Sequence, residues 1–306
     1  MKRHLVPPAS MAFDTRSKIL TDEIRPEWDE DVKATHRTNY ESLIATLSVE
    51  LGPIDFHRKL ADFKEIGTLP FSIISYHNRF LEQIRRAFVQ GYYYPALTAA
   101  CALGERILNH LILDLRDHYR DRNTHSKVAQ GDSFDKWQQL IHVLNDWDVL
   151  RPEAAKALRK LETLRHKSLH YSEETYTKLR EDALAAIKLL ISCIETQFSA
   201  FGTQPWFIKG TKGAAFIKSE WENNPFIREF YLPICPAVGI YYSLAHSSNG
   251  WELFDFKDYE DRIISDDEFC QLYNDRDHTR LAPTTLPPPE HIIRYIWQPW
   301  APSAAK

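Results

Sequence analysis

From Pro95 onward, Ala96, Ala100, Leu103, Ile107, Leu111 and Leu115 recur every three or four residues. That is the spacing of one face of an α-helix, and a run of this length leaves no room for strands in that region. Ala99, Ala100 and Ala102 are small enough to let a neighbouring helix come close, and Gly104 serves the same end at some cost in helix propensity. The same period returns in Asn39–Leu51 (Tyr40, Leu43, Ile44, Leu47, Leu51), closed by Gly52-Pro53, and in Phe56–Ile66 before Gly67. It returns again from Pro70 to Gly91 (Phe71, Ile74, Phe80, Leu81, Ile84, Phe88) and in Phe134–Leu144, with Trp137 and Leu140 as core contacts. Pro152, at a first-turn position, opens a helix with Ala154, Ala157, Leu158, Leu161, Leu164 and Arg165 on one face. After a break at Tyr171-Ser172, Tyr176, Leu179, Ala183, Ile187, Leu190, Ile194 and Phe198 mark a last long helix. Four long helices of this kind can bury a core between them as an antiparallel bundle.

The ends of the chain read differently. Residues 1–35 are polar, with an acidic cluster from Asp22 to Asp31, and read as a loosely ordered or docking arm. The bundle then covers 36–202. Beyond it, residues 203–306 read as a small α+β appendage. There, Ile240–Leu244 and Trp251–Phe256 alternate aromatic and β-branched residues around Asn249-Gly250, a hairpin signal. A short helix is expected at Asp266–Tyr273, and Pro287-Pro288-Pro289 with Trp297–Pro302 reads as an extended tail. The fold class is therefore mainly α with a small α+β addition. Only 10 glycines in 306 residues argue against a fold of many tight turns.

Composition excludes several functions. The N-terminal Met1–Pro8 lacks the apolar stretch of a secretory signal, and the apolar run Leu184–Ile194 is short and interrupted by Lys188, so no membrane span is expected. Cys101, Cys193, Cys235 and Cys270 form no C-x-x-C pair, which points to a reduced, cytoplasmic protein without a zinc knuckle. A net charge of -4 weighs against a protein that coats nucleic acid indiscriminately. Residues 151–180, however, hold eight basic side chains against four acidic ones, which suits a focused patch for a polyanion or a solvated helix face.

The informative motif is Leu164-Arg165-His166-Lys167-Ser168-Leu169-His170-Tyr171, an Arg and a His separated by four residues at the end of an amphipathic helix. Upstream lies Gly91-Tyr-Tyr-Tyr-Pro-Ala-Leu-Thr-Ala-Ala-Cys-Ala-Leu-Gly-Glu105. Over residues 70–200 this arrangement resembles the HEPN superfamily (higher eukaryotes and prokaryotes nucleotide-binding), whose helical bundles carry an Arg, four to six residues, then a His. The resemblance implies a metal-independent endoribonuclease, without cofactor, that acts on RNA as a homodimer with the two motifs facing each other. It makes His170 the general base or acid and Arg165 the stabiliser of charge on the phosphate. His166, Glu105, Lys167 and Tyr171 are the supporting residues. It also implies products ending in a 2′,3′-cyclic phosphate and a 5′-hydroxyl, and a place among toxins or anti-phage effectors, with room for a regulatory protein partner. A family variant in which a Tyr two residues after the His is modified by an antitoxin is not matched, because Ser172 stands there and Tyr171 directly follows His170.

Other readings of the same residues stay open. Arg165 suits an ion pair with Glu105, and His170 suits a helix C-terminal cap. The bundle then serves as a non-catalytic dimerisation or nucleotide-binding module, or the chain is an antitoxin-like interaction protein. On an ideal helix Arg165 and His170 stand about 140° apart, so the two converge only where the helix ends or a second protomer completes the site. Glu162, His166 and His170 have a spacing that could hold a metal, but no fourth ligand accompanies them. Gly210-Thr211-Lys212-Gly213 reads as a turn rather than a phosphate loop, and Arg116–His125 as an exposed connector rather than an RNA-contacting loop.

Overall fold

The computed structural model describes residues 1–7, 13–169, 173–248 and 250–296. Among the described residues the chain is mainly α-helical with two small three-stranded sheets. It divides into two compact units: a helical one, Ala12–Ser72 with Tyr76–Gln197, and a mixed one, Met1–Met11 and Ile73–Ser75 with Phe198–Lys306.

The helical unit runs α1 (Arg16–Thr21), α2 (Glu30–Leu51), α3 (Phe56–Ile66), α4 (Ser75–Val89), α5 (Tyr93–Leu115), α6 (Trp137–Asp146), α7 (Pro152–Leu169), α8 (Glu173–Thr177) and α9 (Leu179–Phe198). Helix α5 is its core. Ala96, Ala100, Leu103, Ile107, Leu111 and Leu115 are buried as their spacing predicts, and so are Leu97, Cys101, Leu108 and Ile112 on the next stripe. A helix apolar on more than one stripe needs neighbours on several sides. The stretch Tyr93–Tyr119 is long and apolar enough to cross a membrane, but 56% of its most apolar window is buried inside the protein. Helices α6 and α7 pack against α5 and against each other. A Cβ on Gly104 would lie 2.6 Å from Trp137 Cη2 and 2.7 Å from Leu161 Cδ2, so this position needs glycine for the three helices to meet.

Two helix starts differ from the sequence expectation. Helix α2 begins at Glu30 rather than Asn39, although only Leu43 and Leu47 are buried along it. Its polar first turns are favoured by Glu30 and Asp31 at the positive end of the helix dipole and by the 2.9 Å Lys33–Glu30 pair. Helix α4 begins at Ser75 rather than Pro70. The intervening residues spend their backbone elsewhere: Leu69 exchanges hydrogen bonds with Asp14, and Ile73 N–H donates to the Phe198 carbonyl.

In the mixed unit the stretch expected to be a loosely ordered arm contains a strand. Residues 3–6 form β1 (Arg3–Val6), the central strand between β2 (Ala215–Phe216) and β3 (Ala237–Val238), antiparallel to both. Leu5 and Val6 are buried, and Arg3, itself 7% exposed, donates to the Asp266 carboxylate and the Ile264 carbonyl. A four-residue strand is too short to register in the average polarity of its surroundings. The second sheet holds the expected hairpin, β4 (Ser243–Ser247) and β5 (Gly250–Phe256), although Asn249 at its turn lies outside the described residues. The proline-rich tail leads into a third strand, β6 (Ile292–Ile296), antiparallel to β5, and residues 297–302 lie outside the described residues. Helix α10 (Asp266–Asn274) is capped by Ser265, whose hydroxyl accepts the Glu268 N–H. Its Phe269 and Tyr273 join Leu5, Phe216, Val238 and Leu253 in one core. All four cysteines are free thiols, three of them buried.

Close packing at Gly104 gives a test. Helix propensity alone favours Gly104→Ala by about 1 kcal/mol, whereas overpacking a filled core costs about 1–3 kcal/mol. Urea denaturation of Gly104→Ala is expected to show a net loss of stability, and of Gly104→Val a larger one; a gain for alanine contradicts the packing.

Candidate functional site at the end of α7

Helix α7 keeps its apolar face inward through Ala154, Ala157, Leu158 and Leu161, all buried. Arg165 continues that face, so its guanidinium turns toward α5 and α6 rather than into solvent. Arg165 Nη2 lies 2.9 Å from Glu105 Oε2, and Trp137 Nε1–H donates to the same oxygen at 3.1 Å. The guanidinium also sits 5.9 Å from the Trp137 ring centre. One carboxylate on α5 thus binds donors from α6 and α7. The pair is not sealed: the Arg165 and Glu105 side chains are 21% and 28% exposed. A guanidinium has five N–H donors, so Arg165 can hold Glu105 and still present N–H groups to an anion.

Around this pair the end of α7 is tied down. Ser168 is buried, its hydroxyl donates to the Arg165 carbonyl at 3.0 Å, and Tyr94 O–H donates to the Ser168 carbonyl at 3.4 Å. Cys101 lies beside them. Burial pushes its thiol up to about 11 against the opposing pull of the Ser168 hydrogen bond and the Arg165 charge, so it stays protonated at neutral pH and is no nucleophile.

The remaining sequence candidates divide. Glu105 and Arg165 are brought together. Lys167 Nζ reaches Glu174 on α8 at 3.4 Å, and His166 is exposed, with Nε2 3.9 Å from Glu162 Oε1. His170 and Tyr171 lie outside the described residues. Among the described residues no group of three His, Cys, Asp or Glu side chains is placed to hold a metal. The 210–213 segment is a clamped turn: Lys212 N–H donates to Asn274 Oδ1 at 2.9 Å, and Asn274 Nδ2 donates to the Gly210 carbonyl at 3.0 Å. In the 116–125 connector, Tyr119 is buried and stacked on Trp147 with centroids 4.9 Å apart, Arg116 donates to the Gly131 carbonyl at 2.8 Å, and Arg120 pairs with Asp117. Its aromatic ring and two of its cations are engaged within the chain.

Two constellations escape the sequence reading. Asp62, 1% exposed, accepts from Arg58 at 2.7 Å, Tyr93 at 2.9 Å and Arg180 at 2.6 Å, joining α3, α5 and α9. The second is a relay. Asp114 Oδ2 lies 2.9 Å from His110 Nε2, and His110 Nδ1 lies 2.8 Å from His77 Nε2. The facing ring nitrogens of His77 and His110 share one hydrogen bond, the donor being set by the tautomers. The i,i+4 pair His110 and Asp114 is legible on α5, but His77 comes from α4 and carries no signal of its own. Comparison with protein-family models, with curated proteins and with solved structures finds no match.

The relay has a pH signature. Burial, followed by the nearby His110 and Arg106 charges, drives the His77 pKa down to about 3 despite the opposing Asp114. The folded state therefore holds a neutral imidazole that the unfolded chain protonates near 6.5, so this contribution is full above pH 6.5 and falls away toward pH 3. Between pH 7 and pH 5 the loss should be about 2 kcal/mol. Denaturant titrations of wild type and His77→Gln at both pH values check this; equal slopes with pH would remove His77 as the cause.

Proposed function

We propose that the chain is a metal-independent endoribonuclease whose helical unit is a HEPN-like bundle and whose site forms in a homodimer. The observation that carries this reading is Arg165, held at the end of α7 by Glu105 and Trp137 yet partly open to solvent, five residues before His170. A cation positioned in this way meets a phosphate without first having to be ordered, which is how preorganised charge stabilises a transition state. In this mechanism His170 removes the proton of an RNA 2′-hydroxyl, and that oxygen attacks the adjacent phosphorus. The bond to the 5′-oxygen breaks, an imidazolium protonates the leaving oxygen, and Arg165 compensates the charge on the non-bridging oxygens. The products are a 2′,3′-cyclic phosphate and a 5′-hydroxyl. The attacking group belongs to the substrate, so no metal-bound water is needed. By the family resemblance the biological setting is a toxin or an anti-phage effector controlled by a partner protein.

A second reading is favoured by the same ion pair. With Glu105 as its counter-charge, Arg165 is satisfied as a structural cation, and the bundle is then a non-catalytic dimerisation or nucleotide-binding module.

RNA cleavage by purified protein in the presence of a chelator separates the two. Loss of general acid–base catalysis in His170→Ala should lower the rate at least about 100-fold, with Arg165→Ala similarly impaired and the cyclic phosphate identified by mass spectrometry. An inert wild type, or a His170→Ala protein as active as wild type, leaves only the structural reading.

A further inference from the structure

Helix α7 segregates its cations. At 100° per residue Lys156, Lys160 and Lys167 fall within an arc of about 40°, Arg159 flanks it, and Arg165 projects from the opposite side. All four flanking and arc residues are exposed. Lys156, Arg159 and Lys160 make no side-chain hydrogen bond or ion pair among the described residues, and Lys167 has the long, exposed contact to Glu174. Of the acidic residues of α7, Glu153 is exposed one turn before Lys156 and borders the row at its start, and the Glu162 side chain is only 12% exposed. From Lys156 to Lys167 the row is about 16 Å long at 1.5 Å per residue. It stands on a chain of net charge -4, so the positive charge is concentrated rather than general.

We propose that this outer face of α7 is a binding track for the phosphate backbone of a polynucleotide. Closely spaced cations on one rigid element gain affinity by releasing the counterions condensed on a polyanion, and they read charge spacing rather than base sequence. An anionic membrane surface would also attract such a row, but membrane-surface helices set an apolar face beside their cations. Between the lysines the exposed positions of α7 are Arg159, Thr163 and His166, all polar. The track lies across the helix from Arg165 and does not depend on cleavage; it would hold a strand outside the proposed cutting site.

Fluorescence anisotropy of labelled single-stranded oligonucleotides tests it on the full chain. A DNA strand, lacking the 2′-hydroxyl, cannot be cut by the proposed chemistry, and an RNA strand of the same sequence is the second arm. With four phosphate contacts the logarithm of affinity should fall with the logarithm of salt with a slope of about -2.8. The variant Lys156→Gln/Arg159→Gln/Lys160→Gln/Lys167→Gln should bind both strands at least about 10-fold more weakly and with a much smaller salt dependence. Lys209→Gln/Lys212→Gln, in the mixed unit, should bind as wild type. Unchanged circular dichroism and thermal unfolding keep the comparison valid, since the substituted side chains are exposed. Wild-type affinity and slope in the quadruple variant would overturn the proposal. So would binding to phosphatidylserine vesicles with none to either oligonucleotide. Binding that persists in a protein with no cleavage activity supports the track and sinks only the nuclease.

Discussion

The absence of a side chain at position 104 governs the arrangement on which the candidate site rests. Trp137 and Leu161 both come so close to the α5 backbone that a single methyl there would collide with them. Because the indole can lie against Gly104, its N–H reaches the carboxylate of the next residue, Glu105, and its ring lies beside the Arg165 guanidinium. Close helix packing and the orientation of a charged pair are therefore one structural fact. Core interiors are filled too densely for either partner to shift alone.

That pair differs from the other charged hub in what it leaves available. Asp62 is 1% exposed and takes donors from Arg58, Tyr93 and Arg180, so its negative charge is consumed in joining three helices. Glu105 takes Trp137 and Arg165 and leaves both charged side chains about a quarter exposed. Burying an ion pair costs solvation that its attraction only partly returns, and half-burying one lowers that cost while keeping the cation reachable. On α4 and α5, buried His77 faces the more exposed His110, and burial first, then the nearby like charges, keep His77 neutral.

Much of the helical unit was legible because its elements announce themselves locally. The Phe56–Ile66 helix, the Pro152 start of α7 and the small residue at 104 follow from apolar spacing, proline position and side-chain volume. The β4–β5 hairpin was legible for the same reason, its first strand displaced by three residues because the Tyr241 carbonyl is spent on the Ala282 N–H. The edges failed where the deciding partner is far along the chain. Arg3–Val6 becomes a strand because it pairs with residues 215–216 and 237–238, and Pro70 does not open a helix because Leu69 pairs with Asp14. Of the site, the Arg165 and Glu105 pair is legible as an alternative in the sequence, whereas Trp137 signals only a core contact and His77 gives no local signal.

By itself the amino-acid order determined that the chain is mainly α, where its central helix runs, and that Arg165 would continue an apolar face. Each of these is set by residues within a few turns of one another, through periodicity and backbone preference. Only tertiary structure decided that one oxygen of Glu105 would serve both Trp137 and Arg165, and that His77 would meet His110. Those outcomes depend on which helix lies beside which, a choice made by volume and burial over the whole unit rather than by local sequence.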